Sequence, residues 1–275
     1  MNTSTIIIGA GAFSNVHIRC LVEMGITECV LAKKSAWTNE QKQKFSDSHP
    51  LMSIEFDNEP IAQDKNVHIV TPSNTHAQML TKYADAETIF VEKPSVLYNT
   101  HEDFTIANQI KGSVYQNDWL AQVQHLRKNK QCPQNISFTY NIKNRDKLDH
   151  IAEIWSHAIN LLSIWYDPTC EIYVHQYKYK KRETHINVIV NEQTSFTITS
   201  SSGLSETSNW HLRIDNEEFT SEQLGGQLLI NTLNTMLTNS EPLTDWYTAS
   251  WMIHKFRLLK CEELFETHRQ LYYRK

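Results

Sequence analysis

The chain has 275 residues, 40% of them hydrophobic, with 26 Lys and Arg against 31 Asp and Glu and a formal net charge of -5. That is enough apolar material for two ordinary domains, while the acidic balance gives no general attraction to nucleic acid or to an anionic membrane, so a small molecule is the expected ligand. The five cysteines, Cys20, Cys29, Cys132, Cys170 and Cys261, show no C-x-x-C spacing and indicate neither a zinc site nor a disulfide framework. With no basic leader and no apolar run long enough to cross a bilayer, a cytoplasmic protein is expected.

The first predicted element is the β-branched run Ile6-Ile7-Ile8, which stops at Gly9-Ala10-Gly11 and gives way to a helix from Asn15 to Met24. Gly9 permits the sharp bend and Gly11 lets the backbone approach a pyrophosphate. The helix start adds orphan amides and the positive end of its dipole. Ser14 takes the third glycine position, which makes the pattern G-x-G-x-x-S, and a plain structural turn between strand and helix is the alternative reading. A second strand, Glu28 to Ala32, ends in Lys33-Lys34-Ser35, where an NAD-type half-domain places an acid for the ribose hydroxyl. Two ammonium groups and a hydroxyl suit a 2′-phosphate, so NADP is the expected cofactor, with NAD as the alternative; lysines simply solvated at a strand end are the other reading.

A helix from Glu40 to Ser46 and a short strand from Met52 to Phe56 come next, then a strand from Val67 to Val70 broken by Thr71-Pro72-Ser73-Asn74. A helix from Thr75 to Ala84 leads to the strand Thr88 to Val91, closed by Glu92-Lys93-Pro94; a helix from His101 to Ile110 and a strand from Ser113 to Gln116 follow. This alternation predicts an α/β fold: a doubly wound parallel sheet over residues 1–120 with ligands at the carboxyl ends of its strands. The cofactor-binding set expected there is Gly9, Gly11, Ala12, Phe13 and Ser14 at the turn and Lys33, Lys34 and Ser35 after the second strand. Thr71, Pro72, Asn74, His76, Glu92, Lys93 and Asn117 complete it at later strand ends.

Over residues 121–275 the pattern becomes that of an α+β domain with an open, mostly antiparallel sheet. Strands are predicted at Asn135 to Ile142, Glu171 to Tyr179, Ile186 to Val190, Ser195 to Thr199 and Trp210 to Ile214. Helices are predicted from His150 to Trp165, Ser221 to Leu237 and Asp245 to His268. Alternation puts Tyr173, His175, Tyr177 and Tyr179 on one face, opposite Ile172 and Val174. Aromatic residues on an uncovered face predict a homodimer or larger assembly through this sheet.

Two places could do chemistry. Lys93 lies between an acid and a proline just past a buried strand, where partial burial would bring an ammonium toward a useful pKa; a surface charge is the plainer reading. His157 lies on an apolar helix four residues after Glu153, a spacing that lets a carboxylate orient the imidazole for proton transfer. A core histidine satisfied by its neighbour is the alternative, and a metal set of His150, Glu153 and His157 a lesser one.

Gly9-Ala10-Gly11 with His17, Thr71-Pro72-Ser73-Asn74-Thr75-His76, Glu92-Lys93-Pro94 and Glu153-Ile154-Trp155-Ser156-His157 occur in the order and spacing of one family. The chain resembles, from end to end, the glucose-fructose oxidoreductase, inositol dehydrogenase and MocA family. The resemblance implies an N-terminal Rossmann domain for NAD or NADP and a C-terminal α/β domain often used for oligomerisation. It makes Lys93 the lysine beside nicotinamide and substrate, and His157 the acid/base of a D-x-G-x-H motif in which Glu153 replaces Asp. Trp155 stands where that motif has glycine, which would crowd the pocket or turn the helix face. Asp118-Trp119 stands where many members have arginine. The activity implied is hydride transfer between nicotinamide and a secondary alcohol, ketone or C=N group of a small polar metabolite such as a sugar derivative. A nucleotide-binding sensor or accessory protein, and a redox-assisted lyase or hydrolase, are the alternatives.

Overall fold

The computed structural model describes residues 4–96, 105–106, 108–117, 119–143, 154–167, 169–180, 183–203, 207–224, 227–237 and 248–256. The chain divides into two compact units. The first runs to Asn117 and takes in the segment beginning at Leu229; the second follows Asn117 to Leu228 and takes in the segment beginning at Thr248.

In the first unit the order is β1 (Thr5–Ile8), α1 (Ala12–Glu23), β2 (Glu28–Ala32), α2 (Asn39–Ser48), β3 (Ser53–Phe56), β4 (Asn66–Ile69), α3 (His76–Lys82), β5 (Thr88–Glu92) and β6 (Ser113–Asn117). These strands form one parallel sheet in the order β3-β2-β1-β4-β5-β6. The continuous apolar run of β1 follows from burial on both faces. Ile6 and Ile8 pack with Val67, Ile69 and Leu80, whereas Ile7 points the other way to Ile18, Leu21 and Leu31. Chain order reverses between β1 and β4, and that switch point is where a sheet of this kind opens a crevice beyond its carboxyl ends. Half of the helix expected from His101 to Ile110 falls outside the described residues.

In the second unit α4 (Val123–Leu126) precedes β7 (Asn135–Ile142), α5 (Ser156–Leu162), β8 (Ile172–Lys180), β9 (Glu183–Val190), β10 (Thr194–Ser202), β11 (Asn209–Ile214), β12 (Glu217–Thr220), α6 (Ser221–Leu224) and α7 (Gln227–Leu237), whose later part belongs to the first unit. The sheet order is β12-β11-β7-β10-β9-β8; every pairing is antiparallel except β7 with β10. Strand β12 was not expected from the sequence. Phe138, Ile186, Val188, Phe196, Ile198 and Leu212 are buried on one face. The other face carries a cross-strand polar ladder, in which Asn187 donates to Thr197 at 2.6 Å and Ser201 to Asn141 at 2.5 Å.

Strict alternation does not hold in β8. The register shifts between Val174 and Gln176, so Tyr173 pairs with Ile189 on the open face while Tyr177 pairs with the buried Ile186. The Tyr177 ring meets that of Trp155 at 6.3 Å. Tyr173 and Tyr177 therefore face opposite ways, contrary to the expectation of one aromatic face, because a bulge adds a residue and flips everything after it. Trp155 is 1% exposed and donates Nε1 to Ser200 Oγ at 3.0 Å. It is a core residue of this unit, which answers the crowding expected from its replacing glycine. Among the described residues no helix is long and apolar enough to cross a membrane.

Candidate functional site

The glycine turn joins β1 to α1. Gly9 has φ +120°, a conformation that L side chains rarely adopt, and a Cβ there would lie 2.9 Å from the Val70 carbonyl oxygen. Gly11 differs: a Cβ on it would meet nothing within 4 Å. Gly11 is the N-cap of the twelve-residue helix α1, and no side chain caps it. Gly11, Ala12 and Phe13 are exposed, so the first-turn amides and an open approach lie together, a cradle fit for an anion. Ser14, in the third glycine position, is buried and donates its hydroxyl to the Gly11 carbonyl at 2.5 Å. It braces the turn from within.

The two strand-end motifs are tied by one imidazole. His76 places Nδ1 2.7 Å from the Pro94 carbonyl oxygen and Nε2 2.8 Å from that of Thr71. Burial is the larger influence on this ring and holds it below the ordinary imidazole range, although the two carbonyls pull the other way. His76 is thus a strut between the loops after β4 and β5. Thr75 adds a bond to the Thr71 hydroxyl at 2.8 Å, and Pro72 and Asn74 stay exposed. After β5 the Lys93–Pro94 peptide is cis. The Ser95 amide donates to Gln116 Oε1 at 2.7 Å, which anchors this loop to β6. Lys93 is half-buried with its ammonium 5.9 Å from the Phe13 ring centroid. Asn117 ends β6 opposite Glu92.

Beneath these loops lies a buried cluster. His17 Nε2 is 2.9 Å from Glu92 Oε1, and its Nδ1 faces Nδ1 of His68 at 3.2 Å, so one hydrogen lies between the two rings. Burial holds His68 well below the ordinary imidazole range, and the neighbouring His17 pushes it the same way. Glu92, expected at the cofactor, gives one carboxylate oxygen to His17 of α1.

After β2 the side chains divide. Lys33 donates to Gln41 Oε1 at 2.6 Å and lies 4.3 Å from the Trp37 ring centroid. Lys34 and Ser35 are exposed and do not line the cavity of about 270 Å³ that Lys33 enters beside Ala10 and Asn15. Asn58 pins this loop by donating to the carbonyls of Lys33 at 2.7 Å and Ser35 at 2.6 Å.

In the second unit His157 is 4% exposed within α5. Trp119 lies 4.5 Å from its ring and Tyr140 6.0 Å, and Trp119 in turn meets Trp210 at 5.3 Å. An imidazole walled by half-buried and buried aromatic rings is a polar group in an apolar frame, which is the usual composition of a small-molecule pocket. Glu153, expected to orient it, lies outside the described residues, as does His150.

No protein-family model matches the sequence, and no curated protein does. Solved structures do match. UDP-N-acetylglucosamine 3-dehydrogenase from Acidithiobacillus ferrooxidans superposes with a TM-score of 0.66 at 13% identity, over 94% of this chain and 96% of that one. Myo-inositol dehydrogenase from Lactobacillus casei, solved with NAD(H) and myo-inositol, superposes with a TM-score of 0.65 at 13% identity over 92% of each chain. Scyllo-inositol dehydrogenase from the same organism, solved with NAD(H) and scyllo-inositol, reaches 0.64 at 10% identity over 91% and 94%. The chain has the fold of these dehydrogenases. That is the fold implied by the motifs at Gly9, Thr71 and Glu92, carried here at very low overall identity.

Trp37, Gln41, Asn58, Tyr140 and Trp210 were not expected from the sequence at these candidate sites. Only the folded chain sets Trp37, Gln41 and Asn58 against Lys33 and gathers Tyr140 and Trp210 into the aromatic cluster that holds His157. Gln41 had a local signal: with Thr38 it forms a capping box for α2.

Proposed function

We propose that the protein is a nicotinamide-dependent oxidoreductase that interconverts a secondary alcohol with a ketone, or reduces a C=N analogue, on a small polar metabolite such as a sugar derivative, with NADP(H) preferred over NAD(H). The observation that carries this reading is the uncapped, exposed start of α1 beside a glycine whose missing Cβ leaves open space. Helix amides placed so hold a pyrophosphate. The residues that would hold the dinucleotide are Gly9, Gly11, Ala12 and Phe13 at the turn, Lys33 at the ribose, and the loops carrying Thr71, Pro72, Asn74 and Asn117. When bound, the nicotinamide supplies or accepts the hydride. That neighbouring folds were solved with NAD(H) and inositols supports both the cofactor class and a polyol-like substrate.

In this reading His157 is the acid/base that takes a hydroxyl proton during oxidation and returns it during reduction, and Lys93 is the lysine that the family resemblance places at the nicotinamide. The aromatic frame of His157 keeps bulk water from the imidazole and offers flat apolar surface to the C–H face of a ring. Glu153 would orient the imidazole. The free cysteines among the described residues, Cys20, Cys29, Cys132 and Cys170, support a cytoplasmic location, and the polar ladder on the open sheet face supports assembly into a homodimer or larger.

The test is direct. Purified protein is titrated with NADPH and NADH by calorimetry, and then screened with cyclic polyols and sugar derivatives for change in nicotinamide absorbance. Cofactor binding followed by turnover of a polyol is expected. Binding without turnover of any alcohol or carbonyl would favour a sensor, and no binding of either dinucleotide would overturn the reading.

A further inference from the structure

The cavity beside the glycine turn is more basic than the end of β2 alone suggested. Its wall includes Ala10, Asn15, Lys33, Trp37, Gln41 and Lys44, and no carboxylate lines it. In a chain with a net charge of -5, two lysine side chains lining one hollow that no carboxylate lines favour an anion there, since their like charges repel and an anion relieves that repulsion. Ala10 and Asn15 connect the hollow to the start of α1. A diphosphate on the helix amides therefore brings its adjoining ribose to this wall.

Lys33 is prepared for a ligand. Gln41 accepts one of its three ammonium hydrogens at 2.6 Å and is itself locked by the capping box with Thr38. The Trp37 ring holds the same ammonium at 4.3 Å by cation–π attraction. Trp37 is fixed in turn by Phe56 at 4.8 Å and Phe45 at 5.9 Å, and Asn58 fixes the Lys33 main chain. Lys44 comes from α2, eleven residues further on, and no strand-end motif points to it. We infer, on the dinucleotide reading above, that Lys44 joins Lys33 as the second cation of a site for a phosphate on the ribose 2′-oxygen, and that Trp37 is the positioning residue for Lys33. Lys34, exposed and outside the cavity, is not part of the site.

Calorimetric affinities of NADPH, NADH, adenosine 2′,5′-bisphosphate and adenosine 3′,5′-bisphosphate test this without any need for turnover. Wild-type protein is expected to favour NADPH, and Lys44→Ala to shrink the NADPH/NADH ratio by about tenfold or more, the usual worth of one charge-assisted bond, with NADH affinity unchanged. Lys42→Ala, which removes the same charge from the same helix outside the cavity, should leave the ratio alone. Trp37→Leu should lower the ratio and Trp37→Phe restore it, since a phenyl face still attracts the ammonium; a purely structural tryptophan would weaken both dinucleotides together. An unchanged ratio in Lys44→Ala, an equal fall in Lys42→Ala, or equal affinity of the two bisphosphates would each overturn the inference while the dinucleotide reading stands. Failure of wild-type protein to bind either dinucleotide would instead bring down the dinucleotide reading itself.

Discussion

The glycine turn and the His157 wall are two ways of building a site. At the turn the candidate atoms are main-chain amides at a helix start, shaped by two glycines two positions apart: Gly9 bends the chain and Gly11 clears the approach. Around His157 the candidate atoms belong to side chains from the turn at Trp119, strand β7 and strand β11, which meet only when the second unit folds. A backbone site tolerates drift in most neighbouring residues. A side-chain site depends on each one, and its specificity changes with any of them.

The sharpest way to break that contrast is His157→Ala. Turnover should fall by about a hundredfold to ten-thousandfold, the usual worth of a positioned acid or base, while dinucleotide affinity stays the same. Lys93→Ala should slow turnover too, with a modest loss of cofactor affinity, because Lys93 follows β5 directly. Steady-state kinetics and calorimetry on both variants check this; normal turnover in His157→Ala would make the histidine a core residue.

The two glycines should fail differently. Gly9→Ala forces a strained φ and a close contact with Val70, so unfolding free energy should drop by about 1–3 kcal/mol in urea titration. Gly11→Ala meets no protein atom and should leave stability unchanged while weakening dinucleotide binding. Equal destabilisation by both would mean that the turn is purely structural.

A smaller effect is expected at the wall. Trp119→Ala should raise KM for a ring-bearing substrate by about twofold to tenfold, as for loss of one aromatic contact, with a lesser change in kcat. A fall in kcat alone would place Trp119 on the imidazole rather than on the substrate.

A further effect concerns pH. His68 and His76 are buried with folded-state pKa values below the unfolded value of 6.5. Below that value the unfolded chain binds protons that the folded chain refuses, so stability falls as pH drops, by up to about 1.4 kcal/mol per unit for each group. Urea midpoints between about pH 7.5 and 5.5 should decline, and His68→Phe should flatten the slope. A midpoint that rises with acid would show that these rings fold protonated.

Much of the first unit is local, and the sequence determined it. The run Ile6-Ile7-Ile8 is apolar on both pleat faces because helices cover both, and glycine is needed at position 9 because other residues do not readily hold φ +120°. Such requirements are written residue by residue, and so the parallel sheet and the turn were legible. Tertiary structure alone decided what depends on meetings between distant residues. His76 reads as one more residue at a strand end, yet it bridges Thr71 to Pro94; Glu92 turns in to His17; Lys44 of α2 lines a cavity with Lys33, whereas Lys34, expected beside the same phosphate, does not. In β8 one inserted residue separated Tyr173 from Tyr177, because a period-two pattern inverts wherever a bulge falls, and the placing of a bulge is set by the neighbouring strand.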